Sequence, residues 1–219
     1  MEKKYNLTEE TIIHDGRTLY RIEAVKDFND VKCGDKGGYI ENESNLSHDG
    51  NAWVWDDAKV FGNAKVYGNA LVFDNALVFG NAKVYGNASV CGNAKVYGNA
   101  KVYGNAWVSG NAKVYDNVRV CGDARVCGNA CVCGDAEIKG ISDYIVFKNW
   151  WSSGRYFTWT RSNNMWKVGC FYGTGKELIK KAYEDSEMSG KEYERVVKYT
   201  KSINKTTSFM LKIKKLFFK

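Results

Sequence analysis

The sequence predicts a mainly β protein: a parallel β-helix of hexapeptide repeats, with a small β cap before it and a small α+β domain after it. Three observations predict this. Valine recurs every six residues from Val54 to Val132, and Ile138 closes the series without one insertion or deletion. An alanine stands two residues before each of these positions, Val118 being the exception, and each alanine follows an Asn or Asp. The flanking segments abandon the period of six altogether. The divisions expected are 1–49 (cap), 50–139 (repeat), 140–204 (three strands and two helices) and 205–219 (basic tail).

A period of six cannot be an amphipathic helix, because six residues advance about 600° and the valines would drift around the axis. Strand alternation instead puts the valine inward and its neighbours outward, with the alanine inward again at a corner that has room for a methyl. The Gly-Asn or Gly-Asp pair tolerates positive φ and makes the bend. Hexapeptide repeats are a signature of parallel β-helices. The phrase Gly-Asn-Ala-Lys-Val-Tyr resembles the repeat of left-handed β-helix proteins, whose coil is three hexads. That resemblance implies left-handedness and five coils, a prism about 24 Å long. Such an interior is filled with valine, so function is expected on the outer faces, at the ends or in the flanks.

In the cap, Thr11–His14 and Thr18–Val25 flank Asp15-Gly16, a hairpin turn signal. The stretch Cys33-Gly34-Asp35-Lys36-Gly37-Gly38 lacks the Gly-Lys-Ser/Thr of a phosphate-binding loop and reads as a connection and end cap. The residues Arg21-Ile22, Asp27-Phe28, Gly34-Asp35, Gly37-Gly38, Asn45-Leu46-Ser47 and Gly50-Asn51-Ala52-Trp53 resemble the entry segment of YdcK-like hexapeptide-repeat proteins of bacteria and phages. The resemblance covers about residues 17–139. It implies the left-handed prism and a cytosolic bacterial or phage setting, and no settled activity, although such proteins are labelled transferases from their fold.

Beyond Gly140, Tyr144–Trp151, Tyr156–Arg161 and Met165–Phe171 read as strands, the last two joined through Ser162-Asn163-Asn164. Thr174-Gly-Lys-Glu177 and Ser189-Gly-Lys-Glu192 read as capping boxes opening two helices. This domain resembles small domains on phage and prophage proteins.

Charge is uneven: 7 Lys/Arg against 11 Asp/Glu in residues 1–50, 9 against 7 in 51–139, and 16 against 7 in 140–219. The start Met1-Glu2-Lys3-Lys4 has no apolar signal core, and no run is long enough for a membrane span, so a cytoplasmic location is expected. Seven cysteines raise the question of a metal site. Their register answers it: Cys91, Cys121, Cys127 and Cys133 follow valines and Cys131 precedes one, so they are spread over three faces and read as reduced outward thiols, with no metal and no cofactor.

Hexapeptide-repeat acyltransferases generally use a histidine base beside a coenzyme A groove, and γ-class carbonic anhydrases hold a metal with three histidines. Only His14 and His48 are present, which excludes the second site. His48, six before Val54, falls in the valine slot of an unfinished hexad and is a weak candidate base; an inward or end-capping role is the plainer reading. The outward slots are richer. Phe61, Phe79, Tyr97 and Tyr115 share one face; Tyr67, Tyr85 and Tyr103 share another with the basic ladder Lys65, Lys83, Lys101 and Arg119; Trp53, Trp55, Leu71, Phe73 and Trp107 occupy the third. Aromatic ladders stabilise sheets, yet faces this apolar call for a cover. The reading is a non-enzymatic scaffold whose partner is a protein, such as a host factor engaged by a phage accessory protein, with a homo-oligomer (trimer or dimer) as one cover. An acyltransferase using coenzyme A, and a nucleic-acid binder using interleaved lysine and tyrosine, are the alternatives.

Overall fold

The computed structural model describes residues 2–217, and the side chains of residues 2–204. The chain divides into two compact units, parting between Ile145 and Val146.

The first unit is a three-sided parallel β-solenoid. Fifteen two-residue strands run from Trp53–Val54 to Glu137–Ile138, and each pairs with the strand three hexads later, so Val54, Val72, Val90, Val108 and Val126 form one column. These valines and the corner alanines are fully buried or nearly so, each valine contributing about 1.5 to 3 kcal/mol of transfer free energy. Val118 is also fully buried, so this corner holds an isopropyl group where the sequence suggested room only for a methyl.

Corners obey the same eighteen-residue stacking. Asn Nδ2 donates to the Asn or Asp Oδ1 of the next coil, as in Asn69→Asn87 (3.0 Å) and Asn117→Asp135 (2.9 Å). The corner position before these residues has positive φ, and three times it is Asp rather than Gly: Asp56, Asp74 and Asp116, at φ 52°, 59° and 60°. Each of these carboxylates accepts from the backbone N–H of the next coil's corner, at Asp74, Gly92 and Gly134. That bond offsets the strain of a Cβ in the left-handed region.

The solenoid has about six turns, one more than the repeat count, because residues assigned to the cap complete a first turn. Strand β3 (Lys36–Ile40) pairs in parallel with Lys59–Val60, and Leu46 bridges Val66. Glycine is required in β3, since a Cβ on Gly37 would lie 2.5 Å from the Val54 carbonyl oxygen and one on Gly38 2.6 Å from that of Ala58. The cap proper is the expected hairpin, β1 (Tyr5–His14) and β2 (Arg17–Ala24), turning at Asp15-Gly16 and pairing antiparallel onto β3.

Along the solenoid the outward-slot residues donate their N–H to carbonyls of the next coil, as in Phe61 N→Val78 O, and the residues between them face the other way, so the corner and valine carbonyls accept from the previous coil. The first coil of the repeat therefore presents corner carbonyls to the irregular cap, where no regular hexad precedes it. At all three corners a side chain takes its place. Lys4 Nζ donates to Gly50 O (3.2 Å) and Ala52 O (2.7 Å). Asn45 Nδ2 donates to Gly62 O and Ala64 O, both at 2.9 Å. Arg21 Nη1 donates to Asp56 O (3.2 Å), while Tyr39 N reaches Ala58 O (2.9 Å).

The second unit is built on a four-stranded sheet, its first strand beginning two residues before the division, in the order Tyr144–Lys148, Tyr156–Thr160, Met165–Val168, Phe171–Thr174, where three strands were expected. The extra strand arises because Val168 and Phe171 pair across a turn at Gly169, which has φ 53°, and this ends one strand and starts another. Helix α1 (Gly175–Asp185) opens on the expected capping box, with Thr174 N donating to Glu177 Oε2 (2.7 Å). The second expected box does not form. Helix α2 (Glu187–Phe217) begins before Ser189, whose N–H instead donates to Ser186 Oγ (3.1 Å). The same helix continues through residues expected as a separate basic tail; the tail's side chains lie outside the described residues.

The register makes a sharp test. Val96→Asp places an unpaired carboxylate in the core and is expected to destabilise by several kcal/mol, on the order of 2 to 7. Lys95→Asp, one residue earlier and exposed, should leave the melting temperature nearly unchanged. Equal melting temperatures for the two variants would refute the stacking.

Candidate functional site

The aromatic ladders form with the expected register. Phe61, Phe79, Tyr97 and Tyr115 stack at 5.0, 4.8 and 4.8 Å, their planes within 4° of parallel. Tyr67, Tyr85 and Tyr103 stack at 4.9 and 5.0 Å. Close stacking removes water from the middle of the first ladder, and this burial pushes the Tyr97 hydroxyl up to about 12.

The outward slots are not uniformly open. Phe61 packs under the hairpin against Leu19 and Tyr39, with Ile12 and Phe79 beside it and His14 edge-on at 5.4 Å. Trp53 is wholly buried among Tyr5, Phe28 and Trp55. These two residues, grouped with the candidate surface, therefore serve packing. Phe79, Tyr97, Tyr115 and Trp55 are partly accessible, and Trp107 is exposed, edge-on to Phe73 at 6.0 Å. Local alternation could not reveal the difference, because the hairpin and Phe28 come from segments that lack the repeat.

On the adjoining face Lys65, Lys83, Lys101 and Arg119 are paired rung to rung and exposed. None of the four makes an ion pair among the described residues. Coulomb repulsion between charges about 4.8 Å apart is roughly 0.8 kcal/mol in water, so the ladder is sustained by the sheet beneath it.

His48 does not occupy the valine slot. Leu46 does, bridging Val66, and eight residues separate Leu46 from Val54 where six separate successive valines. The two-residue excess carries His48 out of the column. Its ring stacks on Tyr5 at 4.3 Å, its Nδ1 accepts from the Lys4 backbone N–H (3.3 Å), and its Nε2 lies 3.9 Å from a Glu43 carboxylate oxygen. Burial outweighs the Glu43 charge and lowers its pKa, which leaves a neutral imidazole at physiological pH. With Nδ1 accepting, the proton resides on Nε2. That nitrogen is then a donor, and proton abstraction there would require the tautomer that gives up the Lys4 bond. The side chain pins the N-terminal segment to the first turn.

All seven cysteines are free thiols. Cys91, Cys121 and Cys133 are buried although they sit in outward slots. Among the described residues no group of three or more His, Cys, Asp or Glu is placed to hold a metal ion. No described helix is long and apolar enough to cross a membrane.

The residues missed by sequence reasoning are Lys4, Arg21 and Asn45, which close the solenoid's first edge. Lys4 is almost fully buried, and burial lowers its ammonium pKa to about 8. Arg21 rests on the Tyr39 ring at 4.2 Å and bonds Glu10, whose carboxyl is held down at about 2 by Lys36 and Arg21. Nothing local in the sequence marks these roles.

Fold and outer faces together define a hexapeptide-repeat β-solenoid with a polar cap on its first edge. Residues 94–110 match the family described as the YdcK β-solenoid repeat. The chain is 40% identical over 62 residues to the uncharacterized acetyltransferase YdcK of Escherichia coli (strain K12), a match covering 25% of this chain and 19% of that protein. The aligned part is thus about a fifth of the relative's length.

The Lys4 cap predicts a pH signature. Between about pH 8 and the ordinary lysine value of 10.5 the unfolded chain holds a proton that folded Lys4 has released, so its contribution makes stability rise with pH across that window. Lys4→Met should remove this rise. It should also cost about 1 to 3 kcal/mol at neutral pH by leaving two carbonyls unpaired. Chemical denaturation from pH 7 to 10.5 measures both effects.

Proposed function

We propose that this protein is a non-enzymatic binding scaffold that engages a protein partner through the outer faces of its solenoid. The carrying observation is the exposed ladder of Lys65, Lys83, Lys101 and Arg119 beside stacked tyrosines, four cations without an ion pair among the described residues. Such a surface fits an acidic protein edge with apolar groups. The partly accessible stripe Phe79, Tyr97 and Tyr115 is suited to a seam between copies of the chain. The setting proposed is the bacterial cytoplasm, with the protein acting as a phage accessory that engages a host factor; the resemblance of the entry segment supports it.

The similarity to YdcK keeps an acyltransferase reading in view. Against it stands the tautomer of His48, fixed by the Lys4 N–H, and the stacking of its ring on Tyr5. Calorimetry with acetyl coenzyme A is expected to show no binding. Micromolar binding abolished by His48→Ala would reverse the order of the two readings. Nucleic acid is the other ligand class that a lysine and tyrosine face suits; salt-sensitive retention on DNA, lost in Lys83→Glu/Lys101→Glu, would establish it in place of a protein partner.

The seam is tested separately. Phe79→Glu/Tyr97→Glu should dissociate an oligomer in analytical ultracentrifugation while preserving the β-sheet circular dichroism, since neither side chain enters the valine column. A wild type that already sediments as a monomer would reject the seam and leave the stripe to a different partner.

A further inference from the structure

Within the C-terminal unit a cavity of about 320 Å³ lies among the loop after Asn149, the turn at Gly169 and Cys170, and both helices. This is the lower end of the roughly 300 to 1,000 Å³ range of small-molecule sites. Part of its lining is apolar, supplied by Phe171, Leu178 and Ala182.

Its polar lining is rich in donors. Asn149, only 4% exposed, organises the loop: its Oδ1 accepts from Ser152 N (2.9 Å) and Ser152 Oγ (3.1 Å), and its Nδ2 donates to the Tyr193 hydroxyl oxygen (3.1 Å). Tyr193 is 6% exposed and held edge-on by Trp151 at 5.0 Å. Its oxygen therefore already accepts a bond, while its own proton has no acceptor among the described residues. Burial pushes this hydroxyl's pKa up, so the proton is retained at physiological pH. Arg155 and Lys181 also line the cavity, and neither forms an ion pair among the described residues. Asp185 is the lone carboxylate of the lining. A buried hydroxyl with a proton to give, in a cavity also lined by two cations and apolar walls, makes a site short of an acceptor.

We propose that this cavity binds a small organic carboxylate, whose charged group pairs with Arg155 and accepts from Tyr193, and whose apolar body lies against Phe171, Leu178 and Ala182. Arg155 is the natural anchor, because a guanidinium and a carboxylate match in a two-bond geometry. The site is independent of the solenoid faces.

Phenylacetate serves as the probe, with 2-phenylethanol and phenylethylamine as controls of similar shape, titrated into the full-length protein and followed by saturation-transfer NMR. Phenylacetate is expected to saturate, and both controls to bind about tenfold more weakly or worse. Arg155→Met should weaken phenylacetate about tenfold and Tyr193→Phe several-fold, with unchanged far-ultraviolet circular dichroism. Should Tyr193→Phe loosen the Asn149 loop, Arg155→Met, on an exposed residue, carries the test alone. Absence of phenylacetate binding, equal binding of the amine, or affinity indifferent to Arg155→Met would each overturn the proposal.

Discussion

In a parallel coil successive strand residues turn their N–H and C=O groups alternately to the coil on either side, so the stack satisfies itself everywhere except at its ends. Buried unpaired carbonyls would cost about as much as lost hydrogen bonds. The entry segment is built around that constraint. Lys4, Arg21 and Asn45 reach the three corner carbonyls of the first coil, and Tyr39 joins them through its backbone N–H. The hairpin that delivers Arg21 also covers Phe61, so closing the edge and burying the first rung of the aromatic ladder are one structural event. His48 belongs to the same assembly. The two extra residues that displace it from the valine column bring its Nδ1 to the Lys4 N–H, where the imidazole holds the strand that carries the capping ammonium.

Downstream of that edge the solenoid can repeat without further invention. Its interior is committed to valine and alanine, which leaves variation to the outward slots, and there the chain places aromatic rings and lysines in unbroken rows. Rows of like charge gain nothing from one another. They are tolerated because the sheet below is stable, and their use lies in presenting the same chemistry at every rung. The C-terminal unit works on a different principle: its loops and helices converge on a cavity, where Asn149 bonds both the loop and Tyr193, and the Tyr193 hydroxyl keeps its proton free to donate.

The sequence by itself determined the solenoid, since a strict six-residue period with small corner residues admits one regular way of burying its valines. It also determined which side chains form rows, because eighteen-residue spacing becomes contact once the coils stack. The Thr174 capping box was legible for a similar reason: all of its partners lie within four residues. Only the tertiary structure decided what the non-repeating segments do with the repeat. Leu46 rather than His48 fills the first column, Trp53 and Phe61 are lost to packing, and α2 starts ahead of its apparent cap. Each of these outcomes depends on groups distant in sequence or on a competing local bond, as when Lys4 meets Ala52 or Ser186 takes the Ser189 N–H. The repeat writes its own contacts into its spacing; the edges and the C-terminal cavity are made by residues with no common period, so only folding brings them together.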